Sequence, residues 1–150
     1  MIRDDIKAAT IAAMKGGDKE TTATLRMVSA AVKNRDIEAR TSSATVEDDQ
    51  LVTEVLQKMI KQRRESAEVY RKGGREDRAA AEESEIAIIE RFLPKQMSDE
   101  EARAAIASIV ADTGASSIKD MGKVMAQVKI RHGGELEPAR ASALVKAALS

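Results

Sequence analysis

Apolar residues recur in this chain at steps of three and four almost from end to end, and no stretch alternates apolar with polar long enough to make a strand. That periodicity confines the fold to helices packed on helices. Ile2, Ile6, Ala9 and Ala13 mark one face of a first helix, which Gly16-Gly17 stops. Asp18 can cap a second helix running to about Arg40, with Leu25, Val28 and Val32 inward. Thr41-Ser42-Ser43 reads as a polar loop and Thr45 as the next N-cap. Glu47, Asp48 and Asp49 then place negative charge on a first turn, where the helix dipole favours it. The third helix is expected over about 46–72, with Val52, Val55, Leu56, Met59, Ile60, Ala67 and Tyr70 on its apolar face. Gly73-Gly74 ends it, and a fourth helix from about Glu76 carries Ile86, Ile89, Phe92 and Leu93 until Pro94.

A short turn between two long helices implies an antiparallel hairpin. Pairing residues whose numbers sum to about 148 sets Leu56 against Phe92, Met59 against Ile89, and Arg63 against Glu85. Apolar then meets apolar, and Arg63 and Glu85 become a structural ion pair. Pro94 to Met97 reads as a linker. Ser98 with Glu101 forms a capping box for a helix holding Ala102, Ile106, Ile109 and Val110 and ending near Gly114. A second box-like start, Ser117 with Asp120, opens a helix that stops near Gly133-Gly134. Pro138 begins the last helix, with Ala141, Leu144, Val145 and Ala148 inward. The fold class is therefore all-α, with a long-helix N-terminal domain over 1–96 and a compact three-helix domain over 97–150. Helix length and Pro94 mark that boundary; charge does not, since basic and acidic residues balance on both sides.

Composition narrows the function. Lys+Arg and Asp+Glu are 25 each, so the chain is not a globally basic nucleic-acid coat protein, although a local patch remains open. There is no cysteine for a disulfide, a thiolate metal site or a nucleophile. No apolar run is long enough to span a membrane, and Met1-Ile2-Arg3-Asp4-Asp5 is too acidic and polar to start a signal peptide. A cytoplasmic protein is the expectation.

The parts of an enzyme are mostly missing. His132 is the sole histidine, so neither a multi-histidine metal site nor a conventional triad can be assembled; beside Gly133 it reads as a helix-end cation. The segment from Gly114 to Gly122-Lys123 has the wrong spacing for a phosphate loop, and Val124 stands where a magnesium-binding hydroxyl is needed. Asp4/Asp5, Asp48/Asp49 and Glu82/Glu83 interleave with cations at helical spacing and read as solvated faces. No catalytic residue, metal or cofactor is expected.

Three basic groupings remain. Lys58, Lys61, Arg63, Arg64, Arg71 and Lys72 spread around the third helix rather than sharing a face. Arg26, Lys33 and Arg40 recur every seven residues and could form a stripe. On the helix after Ser117, Met121, Val124, Met125 and Val128 cluster on one side and Lys119, Lys123 and Gln127 on the other. Two lysines beside free backbone N–H groups at a helix start suit a phosphate, although Asp120 competes for the same donors. Gly122 inside a helix costs about 1 kcal/mol relative to alanine and is expected to mark a close approach, by core or by ligand. Met121 and Met125 read either as core or as an adaptable partner surface. Tyr70 and Phe92, the only aromatics, are both assigned inward, so stacking on unpaired bases is not available. Structured RNA held by its phosphates, or a protein partner, fits better.

The ordered pieces Leu25-Arg26-Met27-Val28, Lys61-Gln62-Arg63-Arg64-Glu65-Ser66 with Tyr70, Gly74-Arg75, Glu85-Ile86 with Leu93-Pro94, and Ser117-Ile118-Lys119-Asp120-Met121-Gly122-Lys123-Val124-Met125 resemble the GatB/YqeY family. The family shares its helical segment and tail with the B subunit of the tRNA-dependent amidotransferase, a glutamine-using carbon–nitrogen ligase. In that subunit the tail contacts tRNA, while kinase chemistry lies in a separate domain. The resemblance implies a non-catalytic accessory role in translation with tRNA as partner; the lysine face then offers Lys119 and Lys123, and the seven-residue stripe Arg26 and Lys33, as the RNA contacts. A helical protein–protein adaptor, or an accessory part of an amidotransferase assembly, are the alternatives. Neither DNA nor a membrane is an expected partner. Where many relatives carry an Arg-Ala-Asp-Gly turn, this chain reads Arg131-His132-Gly133-Gly134-Glu135, which changes the charge of any contact there.

Overall fold

A computed structural model describes residues 1–42 and 45–150, so Ser43 of the expected loop lies outside the described residues. Among the described residues seven α-helices follow in order: α1 (Ile2–Lys15), α2 (Lys19–Thr41), α3 (Asp48–Lys72), α4 (Glu76–Glu90), α5 (Asp99–Thr113), α6 (Met121–His132) and α7 (Pro138–Leu149), with a 3-10 turn, Ile118–Asp120, before α6. The described residues contain no strand, and the all-α class holds. They divide into two compact units, Met1–Leu93 and Pro94–Ser150.

In the first unit, α1 to α4 close around Leu25, Val28, Val52, Leu56 and Ile89, all fully buried, with Phe92 and Leu93 packed against the same core. Burying each such side chain stabilises the fold by roughly 1.5–3 kcal/mol. Gly17 and Gly74 turn the chain with φ of 71° and 75°, a region that side chains disfavour. Asp18 caps α2 by accepting from the Thr21 N–H at 3.1 Å. The hairpin of α3 and α4 has the expected pairing: Arg63 Nε lies 2.8 Å from Glu85 Oε2, and its Nη1 donates to the Met59 carbonyl at 3.3 Å. Tyr70 is half-buried rather than core, with Arg78 5.8 Å from its ring centre.

The start of α3 corrects the sequence reading. Thr45 is not its cap; the helix begins at Asp48, and the Glu47 carboxylate accepts from the Asp49 N–H at 3.4 Å. The physical reason is tertiary. Arg3 bridges Asp36 (2.8 Å) and Asp48 (2.7 Å), and the Ile2 N–H donates to Asp49 Oδ1 at 3.0 Å. The first-turn acids of α3 thus tie down the first turn of α1 as well as meeting the helix dipole. Arg3 in turn holds the Asp36 carboxyl below the ordinary carboxylate range through its hydrogen bonds.

In the second unit, α5 to α7 enclose Ala102, Ile106, Ile109, Val124, Val128, Leu136, Ala141 and Val145. Ser98 and Glu101 form the expected capping box, and Gly114 ends α5 with φ 68°. The stretch from Pro94 to Met97 is more than a linker. Met97 N–H donates to the Glu135 carbonyl at 2.9 Å, Gln96 Nε2 to the Gly134 carbonyl at 2.9 Å, and Arg140 Nη1 to the Met97 carbonyl at 2.8 Å. Arg140 also pairs with Asp99. Those bonds bring Gln96, assigned above to the N-terminal domain, into the second unit.

Candidate functional site

The lysines singled out on the helix after Ser117 sit at the start of α6. Its apolar side, Val124 and Val128, is buried, while Met121 and Met125 pack half-exposed at the core's edge. The opposite side presents Lys119, Gly122, Lys123, Ala126, Lys129 and Ile130 to solvent. At about 100° per residue these six span about one third of the helix circumference. No acidic residue occurs from Met121 to Gly134.

The expected cradle of free backbone donors is not there. The Asp120 carboxylate accepts from the N–H groups of Ser116 (2.9 Å) and Ser117 (3.3 Å), and the Met121 N–H donates to the Ile118 carbonyl. Those backbone N–H bonds also hold the Asp120 carboxyl below its ordinary range. An incoming anion would find these donors already satisfied by an internal carboxylate and a turn carbonyl. Lys123 Nζ donates to the Thr113 carbonyl at the end of α5, 3.0 Å away. Lys119 and Lys129 make no hydrogen bond or ion pair among the described residues. The face therefore presents lysine side chains, Lys123 tied to the Thr113 carbonyl and Lys119 and Lys129 without a bond among the described residues, and not a preformed backbone nest.

Gly122 corrects a second expectation. A Cβ built there meets nothing within 4 Å, so no part of the core approaches it, and its φ is not positive. Neither packing nor backbone geometry calls for glycine at this position. Gly133 is the opposite case: a Cβ there would lie 2.5 Å from the Lys129 carbonyl oxygen.

Arg26 and Lys33 lie in the first unit, both exposed on α2; Arg26 Nη2 points to Met14 Sδ at 3.8 Å. His132 Nδ1 stands 3.4 Å from Glu135 Oε2, a contact at the end of α6. No three His, Cys, Asp or Glu residues gather as a metal set among the described residues, and no described helix is long and apolar enough to cross a membrane. Lys129 is the face residue that the sequence reading passed over. Its signal was the acid-free run from Met121 to Gly134, visible only when charge is counted by segment rather than by domain.

Three relatives are similar to parts of this chain. An uncharacterized protein of Schizosaccharomyces pombe is 34% identical over 94 residues, covering 63% of this chain and 73% of that one. The protein named altered inheritance of mitochondria protein 41, mitochondrial, from Eremothecium gossypii is 30% identical over 130 residues, 85% of this chain and 67% of its own length. Its namesake from Vanderwaltozyma polyspora is 34% identical over 92 residues, 61% and 46% respectively. The model of the YqeY-like protein family matches residues 3–149, and the chain therefore belongs to that family.

Proposed function

We propose that this chain is a non-catalytic accessory protein that binds structured RNA, with tRNA as the class, through the exposed face of α6. The observation that carries the reading is Gly122. An exposed first-turn glycine, with a lysine on either side in sequence at Lys119 and Lys123, has no structural use in the fold and leaves the helix backbone open to close approach. Lys119, Lys123 and Lys129 supply charge for phosphates, while the neighbouring Asp120 carboxylate is engaged by the Ser116 and Ser117 N–H groups. Contacts of this type orient RNA without reading bases, in keeping with the lack of exposed aromatic stacking surface.

The test is fluorescence anisotropy of labelled tRNAs titrated with protein across a series of salt concentrations. Lys119→Ala with Lys123→Ala is expected to weaken binding to different tRNAs alike and to flatten the log-affinity against log-salt slope by about one unit per lost contact. Adding Lys129→Ala flattens it further, while Arg26→Ala with Lys33→Ala changes it less. Unchanged affinity and slope in the α6 variants, or no tRNA binding by the parent at low salt, refutes the reading.

A further inference from the structure

On the outward side of α2 two seven-residue repeats interleave. Lys19, Arg26, Lys33 and Arg40 make one; Ala23, Ala30 and Ile37, each four residues after one cation and three before the next, make the other. All seven are exposed, and Ile37 keeps half of its surface in water. Alternating steps of three and four are the spacing of a helix–helix seam. Leu25, Val28 and Val32 already serve the core from the other side of α2, so this is a second, exposed seam, with Met14 Sδ 3.8 Å from Arg26 Nη2. Lys19 and Lys33 make no hydrogen bond or ion pair among the described residues.

The complement stands on α4. Glu76, Glu83 and Glu90 recur every seven residues, with Ala80 and Ala87 at the same offsets of four and three, all exposed. The two patterns superpose member for member: Lys19 on Glu76, Ala23 on Ala80, Arg26 on Glu83, Ala30 on Ala87, Lys33 on Glu90. Within one chain these seams cannot meet, because α2 and α4 both turn their opposite sides to the shared core. We propose that two copies of this chain associate reciprocally, α2 of each laid along α4 of the other, with alanines at the line of closest approach and cations facing carboxylates. A phosphate backbone would use the cations but leave Ala23 and Ala30 without a role; a helix seam uses both sets. The α4 carboxylates already have partners, Arg71 with Glu76 and Glu83 and Arg64 with Glu90, but these are solvent-exposed pairs of the kind that exchange readily.

The area sets the strength. The 15 residues of α4 give each seam about 22 Å of length, and two seams about 10 Å wide cover roughly 450 Å² a side. That is below the about 800 Å² a side of a stable complex, so the dimer is weak and concentration-dependent. Sedimentation velocity of the full chain from about 1 to 200 µM should show mass rising toward a dimer. Arg26→Glu with Lys33→Glu, and separately Glu83→Lys with Glu90→Lys, should each weaken association at least about tenfold by placing like charges together, with helicity unchanged by circular dichroism. Mixing the two variants should restore a heterodimer of near-parental affinity, since both of its seams regain opposite charges. Ala30→Glu, at the line of closest approach and flanked by Glu83 and Glu90 of the other copy, is a single variant that should also weaken the parent dimer. A parent that stays monomeric throughout, charge reversals that leave association intact, a mixture that fails to restore it, or an association abolished by nuclease would each overturn the proposal. The α6 lysine variants leave the dimer unchanged, so its outcome is independent of RNA binding.

Discussion

Replacing Gly122 and Gly133 with alanine, one at a time, should move stability in opposite directions although both glycines lie at the ends of the same helix. At Gly122 the new methyl meets nothing within 4 Å, and the φ is one that alanine adopts freely. The helix propensity gain is roughly 0.5–1 kcal/mol, less than the full interior value because the position is in the first turn. At Gly133 the methyl would sit 2.5 Å from the Lys129 carbonyl oxygen, whereas the same four-residue relation at Gly16 and Gly73 leaves 3.3 and 3.5 Å. A backbone oxygen cannot swing aside as a side chain can. Relieving the overlap must distort the last turn of α6 and the bend that delivers Leu136 to the core, at a cost of about 1–3 kcal/mol. For a unit of this size each kcal/mol corresponds to about 4–8 °C in Tm. Thermal melting by circular dichroism, with hydrogen exchange of the amides over 121–136 to localise the change, should therefore show Gly122→Ala melting higher and Gly133→Ala lower than the parent. The stabilised Gly122→Ala variant should nonetheless bind tRNA more weakly, because the added methyl stands where the phosphate backbone approaches. Equal or reversed shifts would refute the packing argument, and tighter RNA binding by Gly122→Ala would refute the account of why glycine is there.

Arg63 is only 13% exposed and Glu85 29%, so Arg63→Ala should cost about 1–3 kcal/mol and Glu85→Gln less; a double-mutant cycle in urea should show coupling of about 1 kcal/mol, and additive effects would dismiss the pair. Arg3 lowers the folded-state pKa of Asp36, so the stability this link contributes is present above the unfolded carboxylate pKa near 4 and is lost as pH falls through the lower folded value. Arg3→Ala should accordingly be less stable than the parent at neutral pH, with the gap closing below about pH 4 in acid titrations. The purified chain should show no glutaminase, ATPase or amidotransferase activity above background, and His132→Ala should not alter any activity of a reconstituted assembly, since no base–nucleophile arrangement involves it.

What the sequence made legible is what local chemistry decides. The caps at Asp18 and Ser98, the stop at Gly114 and the register that sets Arg63 against Glu85 all follow from residues within one turn or one hairpin, where a single spacing rule applies. Tertiary partners decided the rest. Nothing near Thr45 announces that α3 will begin at Asp48, because that start depends on Arg3, 45 residues earlier. Lys123 looked like a free cation until the end of α5 offered it the Thr113 carbonyl, whereas the competition of Asp120 for the backbone donors, a contact within one turn, was legible from its place in the box-like start. The candidate site shows the same division. Which lysines point outward could be read from periodicity, but whether Gly122 served the core or a ligand turned on what packs against it, a quantity with no local signature. Finding open space there removes the folding explanation: roughly 0.5–1 kcal/mol of helix propensity is forgone where no neighbour requires it. Function-bearing positions are where a chain is expected to depart from its own local preferences. Gly122 is such a departure, and with the lysines around it supports the proposed phosphate contact.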